Sequence, residues 1–378
     1  MPAKKKTPSP FGDKHEHRIL VLQGGGALGA YQAGVYEGMA EHGFAPDWLA
    51  GVSIGAVNAA LIAGNPPERR LERLREFWER VSSGLPLVAP AQLDPLRIAF
   101  ARLNASAVVA LGVPGFFVPR VPPFFLAADG TPEALSVYDT SPLHATLEEL
   151  VDFDFLNARS GVRLSLGAVN VHTGNSVYFD SGAQRITPRH VLASGSLPPG
   201  FPPTVIDGVH YWDGGLVSNS PLWYVLDDSP QLSALIVQVD LFSARGRLPT
   251  NLDQVLERAK DIQYSSKTRF NTTRVAELEA FRDVLARFLK KVPPRLREDA
   301  DFKRLAPLCA ERREITILHL INRRSGDSTS AKDYEFSRAT MERLWQAGLE
   351  DVRLSCSNRR WKEASKLEDG VRIFDLTA

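Results

Sequence analysis

Two glycine-rich segments, each set where a short apolar run gives way to a helical pattern, constrain this chain more than any other feature. The first reads Leu20-Val21-Leu22-Gln23-Gly24-Gly25-Gly26-Ala27-Leu28-Gly29-Ala30-Tyr31 and the second Leu49-Ala50-Gly51-Val52-Ser53-Ile54-Gly55-Ala56. The second is a Gly-x-Ser-x-Gly elbow: small residues at Gly51 and Gly55 let a strand turn sharply into a helix and expose the Ser53 hydroxyl. The first leaves unencumbered backbone N–H groups at the start of a helix, where they can hold a negative oxygen. A nucleophile beside an anion hole points to acyl transfer. Around these motifs, Arg18 to Gln23 and Trp48 to Val52 read as buried strands. Ala30 to Ala40 and Ile54 to Ala63 read as helices, the latter stopped by Gly64-Asn65-Pro66. Strand, helix, strand, helix implies a parallel sheet covered by helices. Glu68 to Val81 predicts a further amphipathic helix, with Leu71, Leu74, Phe77 and Trp78 on one face.

Composition narrows the class. The chain has 378 residues, 44% hydrophobic and 24% charged, with a formal net charge of +1. That describes a globular protein able to bury a substantial core, and neither a basic nucleic-acid binder nor an acidic solvating chain. The two cysteines, Cys309 and Cys356, have no metal-like spacing, and the acidic residues show no calcium-loop spacing. No metal and no cofactor are expected. So few cysteines fit a reducing, cytoplasmic setting. Residues 1–15, beginning Met1-Pro2-Ala3-Lys4-Lys5-Lys6, lack the apolar stretch of a signal peptide and read as a disordered, solvated basic tail. No apolar run is long enough to span a bilayer, so any lipid is met from the aqueous side.

The segment from Leu85 to Pro142 breaks the alternation. Its stretch Val113 to Leu126 is apolar but too proline-rich for a regular element, which suggests a lid, a binding loop or a strap across the sheet. The aromatics of Phe116 to Leu126 could line an acyl-chain channel or make a peripheral membrane contact. Regular structure resumes with strands over Val162–Val171 and Gly174–Asp180, then a short helix over Val191–Ser194. A hairpin follows, Thr204–Ile206 and Val209–Trp212 turning at Asp207-Gly208. Leu235–Leu241 and Ile315–Ile321 are later strands, with one long helical stretch from Leu252 to Lys291 between them. Tyr334 to Val352 carries Phe336, Met341, Leu344, Trp345, Leu349 and Val352 as an apolar helical stripe.

Gly24, Gly26 and Gly29 also match Gly-x-Gly-x-x-Gly, the fingerprint of a dinucleotide fold. That reading needs an acidic residue at the end of the following strand to hold a ribose. Here the strand ends in Ser53, and Asp47 stands at its wrong end. The nucleotide reading fails. A serine nucleophile needs a base. His319 is the only histidine after Asp213, but it lies inside an apolar strand, and the earlier histidines have no recognisable catalytic setting. Tyr211-Trp212-Asp213-Gly214-Gly215 offers a carboxylate instead, placed after a strand where Asp213 can face a site and take the Ser53 proton directly.

Together these motifs resemble the patatin-like phospholipases, acyl hydrolases with a serine–aspartate dyad. The resemblance rests on Gly24-Gly25-Gly26-Ala27-Leu28-Gly29, on Gly51-Val52-Ser53-Ile54-Gly55 and on Asp213-Gly214-Gly215, with Ala193 to Pro203 and Asn219-Ser220-Pro221 as supporting stretches. It implies a three-layer α/β/α sandwich related to the cytosolic phospholipase A2 catalytic domain. It also implies a Ser53–Asp213 dyad, an elbow at Gly51 and Gly55, and an oxyanion hole at Gly24, Gly25, Gly26 and Gly29. The implied substrate is an acyl ester, of the phospholipid or lysophospholipid type. A short-chain or hydroxyalkanoate esterase, a Ser53/His319 triad hydrolase and a non-catalytic lipid-binding scaffold are the alternatives. One departure is visible: many members carry arginine or lysine where this chain has Leu28. The expected organisation is an acyl hydrolase domain over 16–323, its motifs within 19–221, and a C-terminal helical extension over 324–378.

Overall fold

The computed structural model describes residue 11 and residues 17–84, 94–158, 161–228, 233–265, 268–309, 314–323, 330–363 and 370–377. Strand β1 (His17–Leu22), helix α1 (Ala30–Glu41), β2 (Trp48–Val52) and α2 (Ile54–Ala63) fall where the alternation places them, and α3 (Arg70–Val81) follows. Next come α4 (Asp94–Leu111), a small ribbon of β3 (Val118–Pro119) and β4 (Tyr138–Asp139), then α5 (Ser141–Leu150) and α6 (Phe153–Asn157). The chain returns to the sheet through β5 (Arg163–Asn170), β6 (Ser176–Asp180), α7 (Pro188–Gly195) and the hairpin of β7 (Thr204–Ile206) and β8 (Val209–Asp213). It continues with α8 (Leu222–Asp228), β9 (Ala234–Asp240), α9 (Leu252–Tyr264), α10 (Thr268–Leu289), α11 (Ala300–Cys309) and β10 (Glu314–Ile321). Finally, α12 (Arg338–Ser357) and α13 (Arg359–Glu363) lead to β11 (Gly370–Asp375).

The main sheet runs β11-β10-β9-β1-β2-β5-β8-β7, with β6 also on β5. Strands β11 through β5 are parallel, and the hairpin and β6 join antiparallel. Helices cover both faces, which is why the parallel strands are apolar throughout instead of alternating. In β1, Leu20 and Leu22 enter the large core with α1, α2 and α12, while Ile19 and Val21 meet Leu222, Val225 and Leu226 of α8. The same alternation separates Val237 from Ile236 in β9 and Leu318 from Ile317 in β10. The result is a three-layer α/β/α sandwich.

Several expectations are corrected. The proline-rich stretch is preceded by an 18-residue helix, α4, that its context concealed. The stretch itself divides. Phe116 and Phe117 are buried, whereas Val121, Phe125 and Leu126 are exposed. The single helix expected over Leu252–Lys291 is two, because the backbone turns extended at Ser265 (ψ 145°), whose hydroxyl hydrogen-bonds back to the Ile262 carbonyl. Phe336 lies outside the helical stripe, since Ser337 caps α12 by accepting the Thr340 N–H at 3.3 Å. The C-terminal segment is not purely helical: β11 extends the main sheet beside β10. Of the N-terminal tail only Phe11 is described, and it is packed edge-on against Phe44 and Trp361 instead of solvated. Among the described residues, no helix is long and apolar enough to cross a membrane.

Candidate active site

Ser53 stands between β2 and α2 with φ 56° and ψ −125°. Among the described residues, only it and Asp207 in the β7–β8 turn are non-glycine residues at positive φ. Such a conformation costs of order 1–3 kcal/mol and persists only where the surroundings enforce it. The glycines on either side make the turn sterically possible: a Cβ at Gly51 would lie 2.4 Å from the Gly55 carbonyl oxygen, and one at Gly55 2.3 Å from that of Leu22. The Ser53 N–H donates to the Ser194 carbonyl and hydroxyl, both at 3.1 Å, which ties the elbow to the end of α7.

Asp213 ends β8, which pairs with β5, itself the neighbour of β2. Its N–H donates to the Ser196 carbonyl at 2.9 Å, so the end of α7 braces both Ser53 and Asp213. The carboxylate is 2% exposed. It accepts the Gly215 N–H at 2.7 Å, and the Ser53 side chain lies beside it. Burial pushes its pKa up to about 6, against the downward pull of the Ser53 hydroxyl and the Gly215 N–H. A buried carboxylate with raised basicity, in contact with a serine hydroxyl, is equipped to accept that proton.

The glycine run divides by role. Gly24, Gly25 and Gly26 line the same cavity as Ser53 and Asp213. The Gly24 N–H donates to the Asn219 carbonyl at 3.2 Å. The N–H groups of Gly25 and Gly26 have no acceptor among the described residues. Gly29 is not brought to the cavity. It packs between Ile54 and Trp78, and its carbonyl accepts from Asn58 Nδ2, so its place is in the helix contacts of the core.

His319 is not brought to Ser53 either. The register His319–Gln238–Val21–Ala50 crosses from β10 to β2, a lateral distance of about 14 Å at the usual strand spacing. Its Nε2 pairs with Asp240 Oδ2 at 2.6 Å, both side chains being buried. The alternative Ser53/His319 triad is therefore not assembled in this structure.

The remaining cavity wall comes partly from the aromatic stretch flagged in the sequence, through Phe116 and Phe117, and partly from places the sequence does not flag. Phe116, Phe117, Leu143 and Phe201 form an apolar side. Lys260 and Tyr264 of α9, with Asp333, Tyr334 and Phe336 ahead of α12, close it from the C-terminal half. Lys260 Nζ donates to Asp333 at 2.7 Å and to the Ser330 carbonyl at 2.8 Å. Leu28, by contrast, is buried in the hydrophobic core. The cation lining this cavity is therefore contributed by α9.

A sandwich with a strand–serine–helix elbow at the carboxyl ends of its parallel strands has the form of an α/β acyl hydrolase. The family model described as Patatin-like phospholipase matches residues 20–226, more than half of the chain, and a second, described as Patatin phospholipase, matches residues 262–368. The chain belongs to the patatin-like phospholipase family. Among solved structures, the crystal structure of VipD from Legionella pneumophila is similar at 16% identity and a TM-score of 0.34, covering 88% of this chain and 67% of that one. No curated protein matches the sequence.

Proposed function

We propose that this protein hydrolyses the carboxylic ester bonds of lipids through a Ser53–Asp213 dyad. The observation that carries the reading is one cavity that holds the Ser53 side chain beside the buried Asp213 carboxylate, with the N–H groups of Gly25 and Gly26, which have no acceptor among the described residues. Asp213 takes the hydroxyl proton as Ser53 Oγ attacks the ester carbonyl carbon. The N–H groups of Gly25 and Gly26 then hold the tetrahedral oxyanion. Collapse expels the alcohol, which leaves with the proton from Asp213, and the acyl group stays on Ser53. Water attacks that ester while Asp213 takes its proton, and the acid departs as the proton returns to Ser53. Phe116, Phe117, Leu143 and Phe201 favour a hydrocarbon acyl chain over a hydroxyalkanoate with its repeating polar groups.

The direct test is covalent. A fluorophosphonate ester is expected to label Ser53 stoichiometrically, read by mass spectrometry of the peptide that carries it. His319→Ala should label at the wild-type rate. Labelling elsewhere, or a dead but folded His319→Ala, would sink the dyad. The ionisation of Asp213 adds a pH prediction. Only the carboxylate acts as base, and its pKa is raised to about 6. The value of kcat/KM should therefore be flat above about pH 7 and fall about tenfold per unit well below pH 6. An acid limb near pH 4 would contradict it.

A peripheral membrane contact belongs to the same proposal. Phe116 and Phe117 line the cavity, while Val121, Phe125 and Leu126, a few residues along, are 93%, 70% and 68% exposed. Inserting Phe125 and Leu126 into a bilayer is worth roughly 1.5–3 kcal/mol each. The double substitution Phe125→Asp and Leu126→Asp should lower binding to phosphatidylcholine vesicles at least tenfold. Turnover of soluble p-nitrophenyl butyrate should be unchanged. Equal vesicle binding by both proteins would remove this surface from the account.

A further inference from the structure

Asn219 follows the Asp213 turn and is 9% exposed, yet it reaches across to the glycine run. Its backbone carbonyl accepts the Gly24 N–H at 3.2 Å, and its side-chain Nδ2 donates to the Gly24 carbonyl at 3.1 Å. The same Nδ2 donates to the carbonyl of Tyr264, the last residue of α9, at 2.9 Å. The fit is close on both sides. A Cβ at Gly24 would lie 2.4 Å from Asn219 Oδ1, and one at Gly215 2.8 Å from it. The amide therefore wedges between the glycine run and the Asp213 turn, and each needs a glycine to admit it.

What this controls follows from the planarity of the peptide. The Gly24 carbonyl and the Gly25 N–H belong to one trans peptide unit and point in opposite directions. Holding the carbonyl on Asn219 Nδ2 thus fixes the direction of the Gly25 N–H, the first donor of the run without an acceptor. The preceding unit is pinned at both ends: Gln23 O accepts Gln32 Nε2 at 2.7 Å, and the Gly24 N–H is bound to Asn219. Gln23 adds a second tie to the same acceptor, donating from Nε2 to the Tyr264 carbonyl at 2.9 Å.

Resting on the dyad reading, we propose that Asn219 is a positioning residue that aims the Gly25 N–H at the oxyanion and locks the glycine run to the Asp213 turn and to α9. Its effect belongs to the transition state, because an ester carbonyl gains from that N–H chiefly as it becomes an alkoxide.

The test uses Asn219→Asp, nearly the same shape but with an oxygen facing two carbonyls, and Asn219→Ala, which removes the amide. Loss of one oxyanion donor costs about a hundredfold or more in kcat. Both variants should lose about a hundredfold in kcat on p-nitrophenyl butyrate, with KM within threefold of wild type. Affinity for an alkyl trifluoromethyl ketone, which adds to Ser53 as an oxyanion, should fall by the same factor. A residue that only held the fold together would lower the thermal midpoint without that parallel. Near-wild-type kcat in either folded variant, or a kcat loss with unchanged ketone affinity, overturns the proposal. Should both variants unfold, Gln23→Glu at the shared Tyr264 carbonyl is the substitute, and an unchanged ketone affinity there overturns it equally. A wild-type protein that neither turns over esters nor binds the ketone would instead bring down the dyad reading, and this inference with it.

Discussion

Ser53→Ala and Asp213→Asn should each abolish ester hydrolysis, and the second should at the same time make the protein more stable. Removing the nucleophile or the base of a serine hydrolase costs about four orders of magnitude or more. Activity in both variants is therefore expected at the background of uncatalysed hydrolysis. The stability effect follows from the carboxylate. Its pKa is raised by burial from 3.8 to about 6, so the folded state holds a proton that the unfolded chain releases. As pH rises from about 4 to about 6, stability is lost, and above that window the loss is constant. A rise of that size corresponds to about 3 kcal/mol. Asparagine is neutral at every pH and keeps an acceptor for the Gly215 N–H and a donor for the Ser53 oxygen. The unfolding midpoints of wild type and Asp213→Asn should coincide near pH 4 and separate by a few degrees at pH 7, the variant being higher. Equal midpoints at pH 7 would mean that ionised Asp213 is not strained by burial, and the acid limb near pH 6 would then lack its cause.

The legible part of this site is the part built from neighbours in sequence. Ser53 is recognisable because its flanking glycines serve the same turn that exposes it, and Asp213 because a strand and a glycine pair set its position. The sheet order near the N-terminus is equally local, since β1, α1, β2 and α2 are short and patterned. What escaped notice is made by contacts across hundreds of residues. Nothing in an amphipathic α9 distinguishes Lys260 and Tyr264, which face the cavity, from its other polar and aromatic positions. Phe336 continues the apolar spacing of α12 and is buried in the main core as it reads, but the helix begins only after it, at the Ser337 cap, and it also lines the cavity. The glycine run hides a division of labour for the same reason. Gly25 and Gly26 line the cavity, packed against Leu241, Phe242 and Asp333, while Gly29 packs on Ile54 and Trp78, a difference set by the neighbours and not by the spacing. His319 looks structural from its apolar strand, and its partner Asp240 is supplied by the adjacent strand.

The largest expected loss of stability lies far from the serine, where α12 crosses α1. The two backbones touch. A Cβ at Gly34 would lie 1.8 Å from the Trp345 carbonyl oxygen, and one at Gly348 2.1 Å from that of Tyr31. Neither neighbour is a flexible side chain that can step aside, so any larger residue must push the helices apart. That separation would open the packing of Trp345, Leu344 and Val352, all buried in the main core, and loosen the hydrogen bond from Tyr31 Oη to Asp351 Oδ2 at 2.7 Å. Overpacking of a rigid contact costs about 1–3 kcal/mol, and the exposure of several large side chains adds to it. Gly34→Ala should therefore lower stability by about 3 kcal/mol, and Gly34→Leu should prevent folding or leave a loosened core. Gly200→Ala is the control, since its added methyl meets nothing closer than 3.5 Å. The consequence for function follows from chain continuity: Asp333, Tyr334 and Phe336 hang on the N-terminus of α12 and form part of the cavity wall. If the helix pair is the support of that wall, Gly34→Ala at a temperature where it is folded should raise KM for long-chain esters more than for p-nitrophenyl acetate. A uniform loss over all chain lengths would place the support of the wall in the ion pairs of Lys260 with Asp333 and of Lys332 with Asp261, and not in the helix crossing.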